Sequence, residues 1–234
     1  MSYGARRVKW ISRKCAELFA YMLLHHGKRI PRTRLIVDIF GGMEQNDAKK
    51  YLNTTVYQLR KSLELIGIHD VVRSENDGYA LEFKDVSIDY IEFERQVHRL
   101  QEIEAGNLDL ALKAERAYTG DLFGDKAYVW SIHETERYAG MYEAFAKRLA
   151  QALISMGDTS AASQLLQKLN RRNPLDESVI RLLMELFANT GDHDRLDELV
   201  ADYVRLLDRE LGIRPSDDLI RGYRTLRKSD WPVV

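Results

Sequence analysis

One cysteine in 234 residues, Cys15, excludes an intrachain disulfide and any zinc cluster built on cysteine. Set between Lys14 and Ala16 on what reads as the first helix, it suits a small packing residue better than a nucleophile. No apolar run approaches the roughly 18 residues that a membrane helix needs, and Met1 to Trp10 lacks the apolar centre of a signal peptide. Both absences predict a cytoplasmic protein with no membrane partner. Catalytic signatures are missing too, since neither a glycine-rich phosphate loop nor a nucleophile elbow is present. His133-Glu134-Thr135-Glu136-Arg137 begins like a zinc-protease helix, but Arg137 stands where the second histidine is required. Adjacent His25 and His26 point to different faces of a helix and cannot share a metal. A hydrolase using His133 and Glu134 is therefore an outlying reading. The chain is expected to be no enzyme and to need no metal or cofactor.

Net charge is nearly absent as well, at −1, yet that figure averages two unlike halves. Residues 1–83 hold fourteen Lys and Arg against nine Asp and Glu, and residues 84–234 hold twenty-one against twenty-seven. A cationic first half suits a polyanion, whereas an anionic second half would be repelled by one and suits protein contacts. The hydrophobic content of 45% is enough for ordinary cores in one or two domains.

The cationic half is organised around Asn46 to Ile66. At about 100° per residue, Ala48, Leu52, Val56, Leu59, Leu63 and Ile66 fall on one arc of a helix, and Lys50, Asn53, Thr54, Tyr57 and Lys61 fall on the opposite arc. One side is apolar. The other combines cations, an amide, a hydroxyl and a phenol, which are the groups that bind phosphate oxygens and base edges. On an isolated helix, solvated lysines explain such a face equally well, so the neighbouring elements matter. Ser12 to His26 and Arg32 to Phe40 read as two shorter helices split by Gly27 and Pro31, the first with Ser12 as N-cap. Two strand-like runs follow, Asp70 to Arg73 and Tyr79 to Phe83, around the turn Ser74 to Gly78. Three helices and a β-hairpin predict a winged helix-turn-helix over residues 1–86, with the third helix placed for a major groove.

Within that frame Asn53, Thr54 and Tyr57 are the candidates for base edges, Lys49, Lys50, Arg60 and Lys61 for phosphates, and Arg73 for a backbone or minor groove at the wing. Each has a plainer alternative. Tyr57 could pack on the second helix, for example, and Arg60 could pair with Glu64 one turn on.

The segments WISRKCAELFAYMLLHHGKRIPRTRLIVDIF, LNTTVYQLRKSLE and GYALEF resemble the DNA-binding effector domain of OmpR/PhoB-type response regulators. They look closest to the form joined to a bacterial transcriptional activator domain, as in antibiotic regulatory proteins. The resemblance runs from about Val8 to Arg227, and is most specific at Leu59 to Leu63 and at Gly78-Tyr79. It implies a transcriptional activator that binds double-stranded DNA as a homodimer on repeated half-sites. It also implies RNA polymerase as a partner of the link Gly41 to Gln45. Relatives often have a receiver domain with a phosphorylated aspartate ahead of the winged helix, as in two-component systems. Their effector domains usually open with a small antiparallel sheet, for which Met1 to Ile11 leaves room for one strand or a pair, so that the sheet is reduced or the chain is cut from something longer.

From Ile88 onward the pattern is helical, and residues 87–230 are expected to form an all-α, tetratricopeptide-like repeat domain. Leu149 to Pro174 has the Gly-x4-Ala and terminal proline of such a helix pair, and Gly157 recurs 34 residues later as Gly191. An earlier copy is expected around Gly106, with Ala111 in the place of Ala162. Between the copies lie Gly120-Asp121-Leu122 and Trp130, which resemble landmarks of the activator domain. A helix from about Lys126 to Met156 is expected to bury Trp130, Tyr138, Met141, Tyr142, Phe145, Leu149 and Leu153 on one stripe. The last helices are expected at 195–211 and 216–227, with Ser216 as an N-cap. The rival to DNA binding is an interaction adaptor whose repeats do the work.

Overall fold

Ser12 accepts a hydrogen bond from the Cys15 amide at 3.2 Å, satisfying a donor that the first helical turn leaves unpaired, and α1 (Arg13–Leu24) runs from there. Gly27, at φ +73°, follows its end. Next come β3 (Ile30–Pro31), α2 (Arg32–Phe40) and α3 (Gln45–Glu64), then the antiparallel hairpin β4 (Val72–Glu75) and β5 (Gly78–Leu81). β3 adds to β5, so the sheet order is β3-β5-β4. Ahead of α1, β1 (Ser2–Tyr3) pairs with β2 (Arg6–Arg7). This computed structural model describes residues 2–3, 6–83, 88–124, 126 and 128–227. The chain divides into two units, residues 1–88 with 121–136, and residues 89–120 with 137–234. The boundary expected between 86 and 87 lies outside the described residues, as do 228–230.

The hairpin is tighter than its sequence suggests. Glu75 pairs with Gly78, so Asn76 and Asp77 alone make the turn, in place of the five residues expected, and the strands shift to 72–75 and 78–81. Asn76 takes φ +41°, a left-handed value that asparagine tolerates better than most residues. β3 is absent from the sequence reading because two residues ending in proline show no alternation. Its pairing explains Gly78, since a Cβ there would lie 2.6 Å from the Ile30 carbonyl oxygen. Gly78→Ala is expected to push β3 off β5 and cost about 1–3 kcal/mol. A urea midpoint equal to wild type would contradict this.

The core of the first unit joins Leu18 and Met22 of α1, Leu35 of α2, and Leu52, Leu59 and Leu63 of α3. Residues 121–136, which the sequence reading places in the second domain, belong to this unit. The reason is aromatic. Trp130 lies in a 3-10 turn (Val129–Ser131), meets Tyr21 edge-on at 4.9 Å between centroids, stacks with Tyr128 at 5.1 Å and donates from Nε1 to Glu17 at 3.3 Å. Trp130 therefore leaves the stripe assigned to it, and the long helix begins at Ile132 rather than near Lys126. Tyr21 in turn donates its hydroxyl to Asp38. Burial, reinforced by that carboxylate, pushes its pKa up to about 12.

The second unit is helical: α4 (Asp89–Arg99), α5 (Leu108–Ala117), α6 (Ile132–Ser155, from Arg137 on), α7 (Thr159–Arg172), α8 (Glu177–Asn189), α9 (His193–Leu211) and α10 (Asp217–Arg227). Ser216 caps α10 by accepting from the Leu219 amide at 3.1 Å. The turns around Gly157 and Gly191 are the same object. Both glycines have left-handed φ, +81° and +71°. The next residue, Asp158 or Asp192, donates its amide at 2.9 Å to Leu153 or Phe187 and accepts at its carboxylate from Ala161 or Arg195. Every partner recurs at the 34-residue offset. The copy expected around Gly106 departs from this. Gly106 has no left-handed φ, and the Asn107 side chain turns back to Glu104 and Glu102 instead of capping α5. Ala111, Ala162 and Leu196 are nonetheless equally buried. Tyr118, at the end of α5, stacks on Tyr142 of α6 at 4.0 Å between centroids. No helix among the described residues is long and apolar enough to cross a membrane.

Candidate nucleic-acid interface

Leu52, Val56, Leu59 and Leu63 seat α3 in the core, and helical geometry then turns the opposite arc outward. Lys50, Asn53, Thr54, Tyr57 and Lys61 are all exposed there. Tyr57 is 61% exposed, so it is not packed on α2.

The groups on this arc differ in how far they are already engaged. Lys49 and Lys50 make no ion pair or side-chain hydrogen bond with other described residues. Thr54 donates its hydroxyl to the Lys50 carbonyl at 3.1 Å, which leaves oxygen lone pairs and a methyl group to offer. Lys61 donates to Glu64 at 2.8 Å and stands 5.9 Å from the centre of the Tyr57 ring. The Glu64 carboxylate raises the Lys61 pKa, and Lys61 lowers that of Glu64. Both groups are exposed, so a phosphate can compete for the ammonium.

Arg60 is engaged with the hairpin rather than with Glu64. Its Nε and Nη2 donate to the Val72 carbonyl at 3.2 and 2.9 Å, and Nη2 also reaches Ser74 Oγ at 3.0 Å. The guanidinium thus ties α3 to β4, the outer strand of the sheet, while Glu64 goes to Lys61. Arg60→Ala is expected to cost about 1–2 kcal/mol, because a partly buried carbonyl loses charge-assisted donors. Arg60→Lys should recover little, having no fork to span Val72 and Ser74. Thermal denaturation checks both. Arg73, on β4, is half exposed and pairs with Glu82 at 3.1 Å.

Asn53 is held from two sides. Its Oδ1 accepts from Arg32 Nη1 at 3.3 Å and from the Tyr79 hydroxyl at 3.2 Å. The Arg32 guanidinium lies 4.9 Å from the centre of the Tyr79 ring, its Nε is 3.7 Å from the Asp77 carboxylate, and its backbone amide donates to the Asp77 carbonyl at 3.0 Å. Neither Arg32 nor Tyr79 is among the residues picked from the sequence for this surface. They sit 21 and 26 positions from Asn53, beyond any local periodicity. The one available hint was that both flank elements that had been recognised, the start of α2 and the closing Gly78-Tyr79.

His133 is exposed in the first turn of α6. Among the described residues no three His, Cys, Asp or Glu side chains are grouped so as to hold a metal ion.

The family profile described as "Bacterial transcriptional activator domain" matches residues 88–227. Comparison with curated proteins gives no match. Among solved structures, the chain is similar to EmbR of Mycobacterium tuberculosis, seen in complex with a low affinity phosphopeptide, with a TM-score of 0.66 and 18% identity. The similarity covers 97% of this chain and 62% of that one, so this chain spans less than two thirds of the EmbR chain. At that identity the likeness is one of fold.

Proposed function

Because the chain belongs to the bacterial transcriptional activator domain family, a family of regulators, we propose that it regulates transcription by binding specific DNA sequences through its first unit. In this reading α1 to α3 and the β4–β5 hairpin are a winged helix-turn-helix, α3 enters the major groove, and the hairpin lies along the neighbouring backbone. The single observation that supports it best is the outward arc of α3. Lys49 and Lys50 have no partner among the described residues, Tyr57 is exposed, and Asn53 and Thr54 still present hydrogen-bonding atoms, all opposite a fully buried seam. Lys49, Lys50 and Lys61 hold phosphates, with Arg73 doing so from the hairpin, and Asn53, Thr54 and Tyr57 meet base edges. Arg60 contributes by fixing the hairpin against α3.

The helices of the second unit are tetratricopeptide-like repeats, supported by the turn that recurs from Gly157 to Gly191. They serve self-association on repeated half-sites or contact with a partner, and the link Gly41 to Gln45, in which Met43 is 47% exposed, meets RNA polymerase. The protein works in the cytoplasm, without a cofactor.

Selection of duplexes from a random pool by the full chain tests the reading. Enrichment of one sequence is expected, and Thr54→Ala or Tyr57→Ala should relax its preference at one or two positions. A pool that stays random would leave the adaptor reading, in which the repeats act without direct DNA readout.

A further inference from the structure

We infer that Asn53 reads DNA as a hydrogen-bond donor only, favouring a guanine, and that Arg32 and Tyr79 are the positioning residues that impose this polarity. The inference rests on the DNA-binding reading above and makes it more specific.

The argument begins with what each group is able to do. A guanidinium has donors and no acceptor, so the amide atom that faces Arg32 must be the oxygen of Asn53. The Tyr79 hydroxyl donates to that same oxygen. A carbonyl oxygen has two lone pairs, and here both are taken. The Nδ2 group has no partner among the described residues and Asn53 is exposed, so two N–H donors are what this side chain offers outward.

This clamp is held from both ends, and most firmly at Tyr79. Tyr79 is only 4% exposed, with its ring against the Arg32 guanidinium, so its hydroxyl cannot swing aside. Arg32 is anchored through its backbone amide to Asp77 and approached at Nε by the Asp77 carboxylate. Arg32 and Asp77 thereby link α2 and the hairpin turn to a single amide on α3.

Asparagine usually reads adenine by accepting from N6–H and donating to N7 at once, which needs both ends of the amide. Asn53 has lost its accepting end to its own protein. A guanine fits what remains, because N7 and O6 are adjacent acceptors on the major-groove edge. Adenine would place its N6–H donor against a donor.

Duplex selection by the full chain, run with wild type, Asn53→Ala and the double variant Arg32→Met with Tyr79→Phe, decides the matter. One base-pair position should lose its preference in Asn53→Ala, and wild type should hold guanine there. Replacing that guanine by 7-deazaguanine should weaken wild type on the order of 10-fold and leave Asn53→Ala unaffected. In the double variant the freed oxygen should let adenine enter at that position. An A·T pair at the Asn53-dependent position in wild type overturns the inference, as does an Asn53→Ala variant with every preference intact. These outcomes need no folded double variant, whose thermal transition serves as its own control. Failure of wild type to enrich any duplex would instead remove the DNA-binding reading itself.

Discussion

Raising salt from 50 to 200 mM is expected to weaken binding of the full chain to its selected duplex by roughly 100-fold. The figure follows from the cations that the geometry leaves usable. Lys49, Lys50 and Lys61 on α3 and Arg73 on β4 would neutralise about four phosphates, giving a log–log slope of about −3.6. Arg60 is not counted, because Nε and Nη2 of its guanidinium are held by Val72 and Ser74. Lys50→Ala should weaken all duplexes alike and reduce the slope by about 1, while its surface position keeps stability within about 0.5 kcal/mol of wild type. Lys61→Ala should lose less than Lys50→Ala, since Lys61 must first give up Glu64 before it can meet a phosphate. Fluorescence anisotropy across a salt series measures all three. Binding that ignores salt, or that survives both substitutions unchanged, would end the DNA-binding reading.

Leu59→Ala should have the largest effect on stability, a loss of about 2–5 kcal/mol. Leu59 has no exposed surface and belongs to the core that seats α3 against α1 and α2. Removing its branched end leaves a cavity that neighbours on three helices cannot all fill, and the loss is a large share of the roughly 5–15 kcal/mol that hold a typical domain together. Leu59→Met, which keeps the volume, should cost under about 1.5 kcal/mol. Urea denaturation followed by circular dichroism gives both values. The pair separates two kinds of defect on one helix. Lys50→Ala lowers affinity at constant stability, whereas Leu59→Ala lowers stability first and affinity only because α3 has lost its seat. Equal midpoints for Leu59→Ala and wild type would mean that the seam identified by periodicity is not the one holding the helix.

Local features of this molecule were legible without coordinates. The apolar arc expected over Asn46 to Ile66 is buried residue for residue from Ala48 to Ile66, although α3 ends at Glu64 and Ile66 lies in the turn beyond it. Ser12 caps α1 and Ser216 caps α10, as their positions ahead of helical periodicity suggested. The copy expected around Gly106 keeps its buried alanine but has a different turn, for an instructive reason. Gly106 shares its spacing to a buried alanine with Gly157, but the cap residue after it is Asn107, whose amide can donate as well as accept and so folds back onto Glu102. Spacing reports where a turn falls, whereas the cap's chemistry decides which turn it is.

By itself, then, the amino-acid sequence determined the three helices of the first half, the Ser12 and Ser216 caps and the division of α3 between a buried and an outward face, because each depends on backbone geometry and hydrogen bonds that close within about four residues, and it displayed the 34-residue recurrence directly. Only the tertiary structure decided how the outward residues are used: that Trp130 joins α1, that Arg60 is bound to the outer strand, and that Arg32 and Tyr79 take the oxygen of Asn53. Those partners are 12 to 113 positions apart. Which donor meets which acceptor over such distances is set by the packing of whole elements, and side chains compete for partners only once that packing has brought them together.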